Sequence, residues 1–211
     1  MNYAMICKIM GALLAFFSLS MIPPVIISLF YTDSSVIPFL TGFFITLASG
    51  IILWLPNKSQ HTNLKTRDGF LIVALFWLVL SAFSAIPLII GTQPHISFVD
   101  ALFTSVSGFT TTGCSVLSNL ASYSHAVLYY RQQLQFLGGM AILVFAKAIM
   151  PIIVLGGMQN YKAETPAQNK YNKLAHTYKH TQKIIRLLYL SLNNIRILSY
   201  WFAGRNLFDA N

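Results

Sequence analysis

Acidic side chains are almost missing from this sequence. Its 211 residues hold five Asp and Glu against 14 Lys and Arg, and only 9% are charged in all. A soluble domain has about a quarter of its residues charged. So few ionic groups cannot keep an apolar surface in water, which leaves almost no room for a soluble enzyme. A disordered basic tail is excluded too, because 55% of the residues are hydrophobic and Phe alone occurs 16 times. The net charge of +9 therefore does not imply nucleic-acid binding, which needs a charged patch on a soluble face. No glycine-rich phosphate loop of the GxGxxG or P-loop type is present, so no nucleotide site is expected on this chain. What is abundant is long uncharged sequence.

Lys, Arg, Asp and Glu are absent from Ile9–Thr32, Ser34–Asn57, Gly69–Val99 and Ala101–Tyr130. A bilayer-spanning helix takes roughly 20 mostly apolar residues. The pattern predicts an all-α polytopic membrane protein, with helices near Met5–Phe30, Val36–Leu55, Gly69–Ile90, His125–Leu155 and, more weakly, Thr181–Ala203. The first is too long for a signal peptide, and Pro23-Pro24 is expected to kink or break it. Lys58, Lys65 and Arg67 crowd one loop, and Lys162, Lys170, Lys173, Lys179 and Lys183 crowd another; the intervening loops hold only Asp33 and Asp100. The positive-inside rule then places the N-terminus and both basic loops in the cytoplasm and residues 92–124 outside. Cys7 and Cys114 fall on opposite sides of the bilayer, so no disulfide is expected. His176 and His180 stand four apart, but no third ligand is near, and two solvated loop residues are expected.

The outer segment is where chemistry is expected. Ile96–Ser107 reads as a short apolar helix capped by Ser97 or Asp100. It is followed by Gly108-Phe-Thr-Thr-Thr-Gly-Cys-Ser115, a poor helix former. A half-helix and then extended backbone between two spans makes a re-entrant loop. Non-helical backbone at that depth persists only when buried in protein or lining a water-filled path. One reading is an ion filter, with the carbonyls of Thr110, Thr111, Thr112 and Gly113 replacing an ion's water and Gly113 allowing the unusual backbone angles. The other is a polar turn packed inside a bundle. The pattern alone does not separate them.

Ser105-Val-Ser-Gly-Phe-Thr-Thr-Thr-Gly113 resembles the first pore loop of the TrkH subunits of bacterial Trk potassium-uptake systems. Leu64–Trp77, His125–Met140, Gly156–Pro166 and Tyr200–Ala210 resemble further stretches of that family, so the similarity runs along nearly the whole chain. The resemblance implies four helix–pore loop–helix repeats around one pathway, preceded by two extra helices. On that basis 1–56 is the leading pair of helices, 57–68 a cytoplasmic loop, 69–155 the first repeat, 156–180 a basic cytoplasmic loop and 181–211 an incomplete second repeat. Leu207-Phe-Asp-Ala210 looks like a second occurrence of Phe98-Val-Asp-Ala101. The family's chains are more than twice as long, so this one reads as a truncated N-terminal portion, inactive alone.

The resemblance carries the potassium filter onto Thr110–Gly113, with K+ at the backbone carbonyls of Thr111 and Thr112. It also implies the bacterial inner membrane, a TrkA-like nucleotide-binding subunit on the cytoplasmic side, and a dimer of membrane subunits. No cofactor beyond the transported K+ is expected. A homotetrameric channel and one half of a split transporter are the alternatives. Enzymatic activity is not expected, because an acid, base or metal cluster would be needed in the membrane and no intramembrane Asp or Glu is available. Lys147, Arg186 and Arg196 depart from the family. Charges near a helix centre cost at least about 2.5–3.5 kcal/mol on insertion scales, so a fifth span that inserts weakly is expected.

Overall fold

The computed structural model describes residues 3–58, 66–91, 94–117, 122–158 and 168–202. Every regular element among them is helical. The α-helices are α1 (Tyr3–Ser18), α2 (Ile22–Phe30), α3 (Val36–Trp54), α4 (Thr66–Ser84), α5 (Ile86–Gly91), α6 (Phe98–Phe109), α7 (His125–Met158) and α8 (Gln168–Phe202). Among the described residues, three segments are long and apolar enough to cross a bilayer: Tyr3–Phe30, Val36–Asn57 and Arg67–Gly91. The chain divides into two compact units, Met1–Gly139 and Met140–Asn211.

The first unit has the polarity of a protein solvated by lipid. Phe16, Phe30, Ile37, Ile52 and Leu78 face outward, while Ser18, Ser28, Thr46, Ser84, Thr104 and Ser105 are buried. With lipid tails as apolar as the core, helices associate through close packing and small residues rather than through the hydrophobic effect. The contact between α1 and α3 follows this rule. A Cβ added at Gly11 would lie 2.7 Å from the Gly50 carbonyl oxygen, and one at Gly50 would lie 2.7 Å from the Ala15 nitrogen. The two backbones therefore touch directly.

The break expected at Pro23-Pro24 falls just before them, in a 3₁₀ turn at Leu19–Met21. The prolines occupy the first turn of α2, where a missing N–H costs nothing. They deprive the preceding turn of two donors. The Ile22 N–H bonds the Leu19 carbonyl instead. The Ser20 carbonyl accepts the side-chain amide of Gln133 on α7, at 2.8 Å. Replacing Gln133 with Leu should leave this half-buried carbonyl without its partner and cost about 1 kcal/mol. Thermal unfolding in detergent reads the loss; an unchanged midpoint would show that Gln133 has no such role.

Pro87 interrupts the third span in the same way, between α4 and α5. Tyr130 of α7 donates its hydroxyl to the Ser84 carbonyl at this break, 3.1 Å away. At the other end of α2, Thr32 adopts a left-handed conformation (φ 53°), and the Asp33 N–H bonds the Ser28 carbonyl. Asp33 then meets the start of α7: its carboxylate accepts the Ala126 N–H at 3.4 Å and lies 3.7 Å from His125 Nδ1. A negative group there is favoured by the helix dipole. Tyr31 stacks on the His125 ring, with centroids 4.2 Å apart.

In the second unit the fifth predicted helix begins earlier than expected. α8 starts at Gln168, so residues 168–180 are helical rather than loop, and His176 and His180 lie within that helix. Nothing in 168–180 breaks a helix: the stretch has neither Gly nor Pro, and Pro166 lies just before it. The two amides expected to burden the span are satisfied locally. Asn193 and Asn194 donate to the carbonyls of Tyr189 and Leu190, each at 2.8 Å. Arg186 is half-buried and Arg196 exposed. The side chains of Lys147, Lys170, Lys173 and Lys179, together with Lys65, Lys162 and the Leu207–Ala210 segment, lie outside the described residues.

Candidate functional site

α6 is 12 residues long, about 18 Å at 1.5 Å per residue, and cannot span a hydrocarbon core of about 30 Å. Ser97 caps it: its hydroxyl oxygen accepts the Asp100 N–H at 3.1 Å and its O–H donates to the Asp100 carboxylate at 2.7 Å. Between the two candidates named from sequence, Ser97 is therefore the cap and Asp100 its partner. The serine pair Ser84 and Ser105 ties α6 to α4; their hydroxyls bond one another, and Ser105 also reaches the Ser81 carbonyl. Phe109, the last residue of α6, is fully buried. Its ring sits among Phe17 (5.7 Å between centroids), Phe76 (5.4 Å) and Trp77 (5.2 Å).

The candidate residues Thr110–Gly113 follow at once, and the chain does not run straight through them. Thr110 still closes the helix, with φ −78° and ψ 4°. Thr111 turns left-handed at φ 60°. Its N–H bonds the Gly108 carbonyl at 3.0 Å, and the Thr112 N–H bonds the Ser107 carbonyl at 2.9 Å. This is a Schellman closure, in which the left-handed position is usually Gly. A β-branched residue there is an outlier. The expected extended run Thr110–Gly113 is thus a closed turn, with its N–H groups tied back to α6 as far as Gly113. The cause is that a helix must pair its last carbonyls before the chain can leave it.

Gly113 is left-handed as well, at φ 77°. A Cβ at Gly113 would find the Gln135 amide nitrogen at an ordinary 3.5 Å, so glycine is required by the backbone angle rather than by space. The turn is held from within. The Gly113 N–H also reaches the Ser107 carbonyl, at 3.2 Å, and the Ser107 hydroxyl donates to the Cys114 carbonyl at 2.8 Å. Thr110 donates its hydroxyl to the Val106 carbonyl and shares a hydrogen bond with the Thr112 hydroxyl, both at 2.8 Å. Among the described residues, none donates a hydrogen bond to the carbonyls of Thr110–Gly113, and all four residues are exposed. Cys114 is exposed and Cys7 half-buried, and both are free thiols.

Two residues of this site were not singled out from sequence. Ser107 gathers the turn through its carbonyl and hydroxyl, and a serine in the last turn of a helix carries no signal of that role. Gly138 of α7 packs against the end of α6: a Cβ there would lie 1.9 Å from the Phe109 carbonyl oxygen. The adjacent pair Gly138-Gly139, inside an otherwise regular helix, was the available sign.

The sequence model of the TrkH family, described as a cation transport protein, matches residues 36–210. The chain is 44% identical over 210 residues to the Trk system potassium uptake protein TrkH of Vibrio parahaemolyticus, covering all of this chain and 43% of that protein. It is 45% identical over 210 residues to TrkH of Escherichia coli, covering 44% of it. It is also 40% identical over 200 residues to the E. coli Trk system potassium uptake protein TrkG, covering 95% of this chain and 41% of that one. The crystal structure of the potassium transporter TrkH from Vibrio parahaemolyticus superposes with a TM-score of 0.82 at 41% identity, over 100% of this chain and 42% of that one. The chain thus spans less than half the length of the curated relatives it matches. Its helices, its membrane character and its alignment from end to end agree: the chain belongs to the TrkH family of cation transport proteins.

Proposed function

We propose that this chain supplies the leading helical pair and the first filter segment of a potassium-uptake protein of the bacterial inner membrane. The observation that carries the proposal is the turn Thr110–Gly113. Two left-handed residues in four, bound by their N–H groups to α6, leave four successive carbonyls with no donor among the described residues. Carbonyl oxygens in that condition suit the replacement of a cation's hydration shell without a fixed charge. On this reading K+ meets the carbonyls of Thr111 and Thr112, and the hydroxyls of Thr110 and Thr112 brace the turn. The relatives, named as potassium uptake proteins, support the choice of ion.

The basic residues between α3 and α4 and around the start of α8 support a cytoplasmic N-terminus by the positive-inside rule. Inward movement of one K+ down a membrane potential then gains about 2.3 kcal/mol per 100 mV. A TrkA-like nucleotide-binding subunit would meet that cytoplasmic face, and pairing of membrane subunits would complete the assembly. The chain alone, with one filter segment, is expected to be inactive.

The test is growth at low potassium, and rubidium uptake, in bacteria stripped of their own uptake systems. The chain alone should give neither. Co-expression with a polypeptide carrying the remaining repeats should restore both, and Gly113→Ala should abolish the restoration. Growth from the chain alone would favour a self-assembled tetramer. Unchanged rubidium flux in the Gly113 variant would remove the filter assignment.

A further inference from the structure

Phe109 is held from two sides, and only one of them is explained by the core. Its ring is enclosed by Phe17 of α1 and by Phe76 and Trp77 of α4. Its carbonyl points the other way, into α7. The position a Cβ would take on Gly138 lies 1.9 Å from the Phe109 oxygen, 2.9 Å from its carbonyl carbon and 3.3 Å from the Thr111 methyl. The first of these is well inside van der Waals contact, and the atoms met are backbone, which cannot rotate away. One turn earlier on α7 the packing is tight but less so: a Cβ on Gly108 would lie 3.3 Å from Leu134 Cβ. Gln135, on the same face, stands beside Gly113. Leu134, Gln135 and Gly138 thus line one helical stripe, at i, i+1 and i+4, against the end of α6 and the turn that follows.

We propose that Gly138 is the positioning residue of the filter turn: its missing side chain forms the notch on α7 that fixes the Phe109 carbonyl and, through it, the left-handed Thr111. With its ring caged and its carbonyl seated, Phe109 has no slack. A shift of α7 against α1 and α4 has to be taken up by the next residues along, Thr110–Gly113. The notch therefore transmits the position of α7 to the carbonyls assigned to the ion. The proposal rests on the filter reading for its functional meaning and on packing alone for its existence.

Hydrogen exchange of the full chain in detergent separates the two. The N–H groups of Thr111, Thr112 and Gly113 are bonded to Gly108 and Ser107, so their protection reports whether the turn is held. Gly138→Ala should speed exchange of these three amides by about tenfold or more while α1 and α3 stay protected. Gly139→Ala, about 100° further around the helix, should leave them unchanged. If Gly138→Ala does not accumulate, Leu134→Ala loosens the same seat without a clash and should give the same local increase. Unchanged protection of Thr111–Gly113 in whichever variant folds would overturn the proposal, as would an increase spread equally over α1 and α3. Exchange is read without transport, so failure of every variant and of the unmodified co-expressed chain to move rubidium would count against the filter reading and leave the notch standing.

Discussion

Tyr130→Ala should unfold the first unit more readily than any other single truncation in it. The Tyr130 side chain is the largest among those fully buried, and its ring meets Phe39 edge-on with centroids 5.0 Å apart. Truncating a buried aromatic costs about 3–5 kcal/mol through lost contacts and the cavity left behind. Here the loss includes a hydrogen bond, because the Tyr130 hydroxyl donates to the Ser84 carbonyl beside the Pro87 break. Tyr130→Phe isolates that share: the ring stays against Phe39, and the cost should fall to about 1–3 kcal/mol. Thermal or denaturant unfolding in detergent measures both. Equal losses would assign the whole effect to the hydroxyl. No loss in either variant would contradict the placement of α7 against α3 and the end of α4.

The second large effect is expected at Gly50. Its Cα faces Ala15 and Gly11 across the α1–α3 contact, and the nearest atoms to an added Cβ are the Ala15 nitrogen at 2.7 Å and the Gly11 oxygen at 2.8 Å. Alanine is the better helix former by about 0.5–1 kcal/mol. That gain opposes an overpacking cost of about 1–3 kcal/mol, which backbone neighbours push toward its upper end. Gly50→Ala should therefore be a net loss, and Gly50→Leu should part the two helices and remove most folded protein. Size-exclusion chromatography after graded heating ranks the three proteins. A Gly50→Ala variant more stable than the parent would show that the helices are free to separate at little cost.

Much of this architecture could be read from the residues, and the reason is lipid. Uncharged runs bounded by Lys, Arg and Asp mark where helices begin and end when the solvent tolerates no charge, which is why α1–α5 stand close to where the pattern put them. The site was legible as a place but not as a conformation. Three Thr between two Gly announce a departure from helix, yet nothing in Thr110-Thr-Thr112 says that the middle one turns left-handed. That is decided by the need of α6 to pair its last carbonyls, a property of helix ends, and by the notch at Gly138, a tertiary contact. The start of α8 was misplaced for a related reason. Polarity marks where a helix leaves lipid, but helical structure can continue past that boundary, and Gln168–His180 does so.

The bond from Gln133 to the Ser20 carbonyl joins residues 113 positions apart, and that distance is also an interval of time. A ribosome adds about 5–20 residues per second, so roughly 6–23 s separate the two in synthesis. Through that interval the first span exists with its break already made and its protein partner not yet translated, so its open carbonyl is left to water or to the insertion machinery. α1 and α2 are thus made before the helix that completes the break between them exists.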